Sequence, residues 1–396
     1  MREVYLDNAA TTKIDDRVLE AMLPFLKEDF GNPTSLHGWG EKAKTAIEEA
    51  RVSVAALIGA EPREIIFTSS GSEANSLAIK GSIKPLLRIG NHVITSTIEH
   101  FSVLHAIKAL EKEGTIEVTY LPVDSFGMIN VEDLIKAIRS ETILISVMSA
   151  NSEVGTIQSV DEIAKIANEN KILFHTDAVA AAGIIPVNVD SGIDLLSLSA
   201  SQFYGPKGAG ALYVRSGVRI QPQIEGGIQE SGKRGGTENV PAIVGLGKAA
   251  SLAVEEMDDR NYRMESLRDR LITGLRSSID DLTLNGHPTI RLPGNVHVRI
   301  EYIEGESMLI FLNMRGIAAA SGSACTSRAL KASHVMTALG IPREKVHGSL
   351  LFSLSKETTR DDVDYVIEVL PPIVARLREM SPMTPANDEI IGEVRK

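Results

Sequence analysis

Short, almost unbroken apolar runs recur through the first half of the chain. EIIFTS (64–69), HVITST (92–97), ILISVM (143–148), ILFHTD (172–177), DLLSLS (194–199) and ALYVRS (211–216) are rich in β-branched residues and read as strands. Stretches with apolar residues at helical spacing lie between several of them, one starting at Glu73 and another at VDEIAKIANEN (160–170). This alternation predicts parallel strands joined by helical crossovers, hence an α/β open sheet. Strands with no polar face suit a sheet covered on both sides. From Val240 the pattern changes. A long helical stretch runs to about Ser278, with a break expected between Asp258 and Asn261. A strand at HVRIEYI (297–303), a helix from Glu304, the small-residue segment IAAASGSACTSRAL (317–330) and a helix over 361–379 follow. We expect a large α/β domain over 13–258, a smaller α+β domain from 1–12 with 259–383, and a weakly patterned tail at 384–396.

Composition narrows the class. Of 396 residues, 43% are hydrophobic and 23% charged, ordinary values for a globular protein. The net charge of −11 argues against general nucleic-acid binding, which needs a basic footprint. No apolar run approaches a membrane span, and MREVYLDNAATT lacks the apolar core of a signal peptide, so a cytoplasmic location is expected. Cys325 is the single cysteine, which excludes an internal disulfide and a self-contained multi-cysteine metal site.

Several segments can carry chemistry. In TSSGSEAN (68–75) a strand end meets a helix start, so the Gly71 and Ser72 N–H groups and the Ser72 hydroxyl form either an anion site or an ordinary cap. Asp177, in HTDAVAAAG (175–183), ends a predicted central strand, where open α/β sheets bind ligands. It is either a carboxylate facing a cation, such as a protonated pyridine nitrogen, or a structural acceptor. SASQFYGPKGAGALYV (199–214) offers the Ser199 hydroxyl beside a Gly-Pro turn, in which Lys207 reads as structural. His100, closing STIEH (96–100), can stack on a flat ring, move a proton or simply cap a helix. RGGTENVPAIVG (234–245) is a second anion site or a loop and cap. Cys325 sits among small residues with Arg328 and Lys331 downstream, a context that favours an accessible thiolate over an inert buried thiol.

Together with YLDNAATT (5–12), FGNPTSLHGWG (30–40), YIEGES (302–307) and SGSACTS (321–327), these segments resemble the cysteine desulfurases that supply sulfur for iron–sulfur cluster assembly. Those are fold-type I pyridoxal-phosphate (PLP) enzymes, with a mostly parallel, seven-stranded-type sheet in the large domain. The resemblance implies roles. Gly71, Ser72 and Ser199 match phosphate-binding positions, and His100 matches the histidine that stacks on the ring. Asp177 matches the partner of the ring nitrogen. Thr237 matches a residue reaching the phosphate of the partner subunit, which implies a homodimer. Cys325 matches the loop cysteine that attacks substrate sulfur and carries the persulfide.

The departures fall on the chemistry. The family reads Ser-x-His-Lys before the Tyr-Gly-Pro-Lys-Gly turn, whereas Ser201 replaces the histidine here and Gln202 replaces the Schiff-base lysine. Ser152 stands at the ring-contacting position of Asn-Asn-Glu, and Ala180 at the glutamine of Asp-x-x-Gln. Leu351, in GSLLFSLS (348–355), stands at the arginine that clamps the substrate carboxylate. An amide is neither basic nor nucleophilic, and a leucine makes no charge-assisted bond. The expectation is a desulfurase homologue with impaired turnover, holding PLP non-covalently if at all. It would supply sulfur, or the Cys325 thiolate as a ligand of a cluster shared with a scaffold protein. Two other readings remain: an active desulfurase that converts L-cysteine to alanine and persulfide with non-covalent PLP, and a non-catalytic dimer partner.

Overall fold

The structure is a computed structural model and describes residues 2–321 and 332–381. The helices are α1 (Asp16–Lys27), α2 (Gly38–Ile58), α3 (Gly71–Leu86), α4 (Phe101–Lys112), α5 (Val131–Ala137), α6 (Val160–Glu169), α7 (Val240–Ser278), α8 (Gly305–Met314), α9 (His334–Ala338), α10 (Arg343–Val346) and α11 (Arg360–Met380). The strands are β1 (Val4–Tyr5), β2 (Ile65–Thr68), β3 (His92–Ser96), β4 (Glu117–Leu121), β5 (Thr142–Ser146), β6 (Leu173–Asp177), β7 (Leu195–Ser199), β8 (Gly210–Val214), β9 (Leu282–Leu284), β10 (Asn295–Ile300), β11 (Ile317–Ala318) and β12 (Ser349–Ser353).

Seven strands form the main sheet in the order β2-β8-β7-β6-β5-β3-β4. The run from β7 to β4 is parallel, and β8 is antiparallel to both neighbours. All residues of β2, β3, β5, β7 and β8 are buried, because helices cover both faces. Strand order reverses between β3 and β5, which opens a crevice at the C-terminal ends of the parallel strands. A second core gathers on the antiparallel sheet β12-β10-β9, with Val296, Val298, Leu350 and Phe352 packed against Leu271, Met308 and Val366 from three helices.

The N-terminal arm stitches the two cores. Val4 pairs with Ile317, Asn8 donates to the Ser353 carbonyl at 2.7 Å, and Thr12 donates to the Ser201 carbonyl at 3.0 Å. Asp15 caps α1 and forms ion pairs with Arg17 and with Lys356 next to β12, which hold its carboxyl well below the usual range.

One expected feature is absent. Helix α7 runs unbroken through Asp258–Asn261. The polar cluster there holds no helix breaker. Asp258 and Asp259 sit on the outer face, while Arg260 turns inward onto the Tyr204 ring, 5.0 Å from its centroid, and pairs with Glu256 at 2.5 Å. The expected strand over 297–303 begins at Asn295 and ends at Ile300, followed by a turn in which Tyr302 takes φ +70°.

Candidate active site

The C-terminal ends of β3, β5, β6 and β7 deliver their next residues to one cavity of about 410 Å³. Its wall includes Gly71, Ser72, His100, Ser152, Asp177, Ala180, Ser199, Ser201, Gln202 and Leu351. Of the site residues expected from sequence, two stand apart. Thr237 is exposed in the loop before α7 and is not part of this wall. Cys325 lies outside the described residues, though Ala320 and His334 on either side of that segment both reach the wall.

At one end, β2 turns into α3. Ser70 caps the helix by accepting the Glu73 N–H at 3.2 Å. A Cβ at Gly71 would lie 2.4 Å from Val179 Cγ2, so only glycine lets α3 begin this close to β6 and β7. Ser199 and Ser201 face each other at 3.2 Å between hydroxyls. The result is a cup of neutral donors at a helix N-terminus, suited to a phosphate. Glu73 in the first turn is neutralised by Arg234, at 2.9 Å, from the loop that carries Thr237.

Asp177 is part of the cavity wall. It accepts from Asn75 Nδ2 at 2.7 Å and from the Val179 N–H at 3.0 Å. Burial raises its pKa, and nearby His100 draws it back down. Asn75 Oδ1 is buried with no hydrogen-bond partner among the described residues. A buried carboxylate of this kind calls for a cationic partner, and a protonated pyridine nitrogen is one. His100 is the N-cap of α4, its Nδ1 accepting from the Ser102 N–H at 3.2 Å and facing the Ser102 hydroxyl at 2.7 Å. Capping and a place in the cavity wall are therefore both true of His100. The cup and Asp177 fit the phosphate and ring of PLP.

Gln202, expected at the anchor position, also lines the cavity. Gln202 Nε2 makes only a long bond, 3.4 Å, to the Ala10 carbonyl. The turn beside it is rigid: Tyr204 takes φ +69°, its N–H donates to Thr12 Oγ1 at 2.8 Å, and its hydroxyl accepts from the Lys356 N–H at 2.8 Å. Leu351, 4% exposed, is held by reciprocal backbone bonds to Ala320 at 2.7 and 3.1 Å and presents an apolar wall.

Two wall residues had no role in the sequence reading. Glu99 accepts from Ser96 Oγ at 2.6 Å and the Met148 N–H at 3.0 Å, and its Oε2 has no hydrogen-bond partner among the described residues. Glu153 Oε1 is likewise without one. Burial pushes both up to about 8, with Asp177 adding to the rise at Glu99. An acidic residue three positions past the end of an apolar strand, as Glu99 is, was the available signal. Among the described residues no group of three metal-ligating side chains forms, and no helix is long and apolar enough to cross a membrane.

These acids predict a pH dependence. A carboxyl raised from 4.5 to about 8 favours the fold at low pH, and that stability is lost as pH rises from about 4.5 through about 8. Buried His175 and His297, depressed to about 3, act oppositely, their contribution fading as pH falls from 6.5 toward 3. Glu153→Gln is expected to raise Tm over wild type by roughly 2–6 °C at about pH 8.5 and to gain nothing at about pH 5, read in thermal scans. An equal shift at both pH values would contradict a buried acid.

A cup of donors at a helix N-terminus and a buried aspartate at the strand ends of a seven-stranded α/β sheet make this a fold-type I architecture of the PLP kind. The aminotransferase class-V family model matches residues 4–366, and the chain belongs to that family. It is 55% identical over 385 residues to the cysteine desulfurase IscS of Methanosarcina thermophila, covering 97% of this chain and 95% of that one. Among solved structures, a NifS-like protein superposes with a TM-score of 0.89 at 39% identity, over 95% of this chain and all of that one. SspA in complex with cysteine superposes at 0.80 and 37% identity, over 90% of this chain and all of the other.

Proposed function

We propose that this protein is a cysteine desulfurase homologue of iron–sulfur cluster assembly whose own desulfurase turnover is impaired. It works in the cytoplasm as a homodimer and gives a scaffold protein sulfur, the Cys325 thiolate, or both. The carrying observation is Gln202 in the wall of a cavity that also holds the cup and Asp177; the resemblance gives it the position of the PLP lysine. Its amide can neither form a covalent link to PLP nor move a proton. Leu351 removes the carboxylate clamp, Ala180 and Ser152 weaken the electronic tuning of the ring, and Ser201 is a poor proton carrier. In a bound complex the α3 N-terminus with Ser72 and Ser199 would hold the phosphate. Asp177 would face the ring nitrogen, and His100 would lie against the ring. PLP would supply an electron sink there. Thr237, exposed beside the Arg234–Glu73 pair, would complete the cup of the partner subunit.

The intact cup also favours a second reading, an active desulfurase with non-covalently held PLP and L-cysteine as substrate. The solved SspA relative contains cysteine. Sulfide release from L-cysteine by the purified protein with added PLP separates the two. The impaired reading expects a rate at least ~10²-fold below that of an IscS relative under the same conditions. A comparable rate would overturn it.

A further inference from the structure

The loop before α7 holds a short left-handed turn. Glu230 and Ser231 take φ +47° and +55°, and Gly232 follows at +74°. Residues with a Cβ stay in this region only where their surroundings enforce it. The Glu230 side chain supplies that enforcement. Its carboxylate accepts from the Arg51 guanidinium at 2.8 and 2.9 Å and from the Phe67 N–H at 2.8 Å, with 3% of the side chain exposed. Arg51 also donates to the Ile65 carbonyl at 2.8 Å. Because β2 is an edge strand, the ion pair takes the place of a neighbouring strand there. Four residues past Glu230, Arg234 reaches Glu73 at 2.9 Å in the first turn of α3. Among the described residues, segment 222–236 is hydrogen-bonded to the rest of the protein through these two side chains, Glu230 and Arg234.

We infer that Glu230 is a positioning residue for the cup: clamped to the sheet edge, it turns the chain so that Arg234 meets Glu73 and cancels the negative charge beside an anion bound at the α3 N-terminus. This rests on the reading of the cup as a phosphate site. The cup draws its attraction from backbone N–H groups and the helix dipole, and Glu73 sits in the turn that carries them. Left unpaired, its carboxylate opposes a phosphate through space. Arg234 removes that opposition, and Glu230 fixes where Arg234 stands. Glu230 itself touches no ligand.

Isothermal titration calorimetry of the full chain with PLP tests this in a double-mutant cycle. Glu230→Ala is expected to weaken binding roughly 3–30-fold at low salt, the span of one uncompensated charge acting on an anion in partly screened surroundings. The loss should shrink at high salt. In a Glu73→Gln background there is no charge left to cancel, so Glu230→Ala should then change Kd by less than about 2-fold. Glu230→Gln keeps an acceptor for the Phe67 N–H and should lose less affinity than Glu230→Ala. Should Glu230→Ala fail to fold because Arg51 is left buried and unpaired, Arg51→Lys replaces it, since lysine keeps the charge and gives up the two-pronged bond. Its effect is expected to depend on Glu73 in the same way. Unchanged affinity in Glu230→Ala, or an equal loss in both backgrounds, would overturn the inference and leave the phosphate site standing. A wild type that does not bind PLP would remove that site and the inference with it.

Discussion

Gln202→Lys is expected to hold PLP in a form that borohydride fixes to the protein, where the wild type loses it on dialysis. The substitution asks little of the backbone. The turn is set by Thr12, Asp15 and Lys356 acting on Ser201 and Tyr204, and the Gln202 side chain contributes one 3.4 Å bond. The cup, built by Gly71 against Val179, and Asp177 with its Asn75 partner are present whichever side chain follows Ser201. Sulfide release should rise by at least ~10²-fold, the usual worth of one general acid–base group. It should stay short of a full desulfurase, because Leu351 still meets the substrate carboxylate with methyl groups. Adding Leu351→Arg is expected to lower KM for L-cysteine by a further ~10-fold or more, the scale of a charge-assisted bond. Turnover of the wild type equal to that of Gln202→Lys would show that residue 202 is not what limits the site.

Cys325→Ser is expected to abolish stable cluster formation with a scaffold partner when iron and sulfide are supplied directly, which bypasses desulfurase chemistry. Cys325 is the only thiol in the chain, so no other side chain can offer a thiolate to iron. Serine keeps the size and removes the soft donor. Visible absorption of the cluster should fall at least ~10-fold after gel filtration, matching the loss of one of its thiolate ligands. A variant that assembles and retains cluster as the wild type does would end the ligand role and leave only persulfide transfer or a structural one.

The sheet was legible because its strands are buried on both faces and therefore read as apolar runs. β4 was not, since EVTYL opens on an exposed glutamate and lies at the sheet edge, where the apolar signal is weakest. The supposed break in α7 came from reading polarity as interruption, when Asp258 and Asp259 merely face water. At the site, motif reading singled out the cup, His100 and Asp177, which lie at or within a few residues of strand ends, and the family resemblance singled out Gln202. Neither found that Asn75 reaches Asp177, a contact across 102 residues, or that Glu99 and Glu153 share the cavity. Those depend on how strands far apart in sequence are laid side by side, which no local pattern encodes.

The N-terminal arm puts a clock on all of this. Asp7, Ala9 and Ala10 form part of the cavity wall, yet their neighbours are held by partners near the far end of the chain, as in the Asn8–Ser353 bond across 345 residues. Contacts of such long sequence separation form late, after the intervening loop has been closed by other structure. The bond from Asn8 to Ser353 cannot close until β12 has been made, after every strand of the seven-stranded sheet. The seven-stranded sheet can therefore assemble on the nascent chain while one side of its pocket is still missing. Ligand binding becomes a report on finished chains, and a protein stalled before β12 should be folded in bulk but blind to any coenzyme.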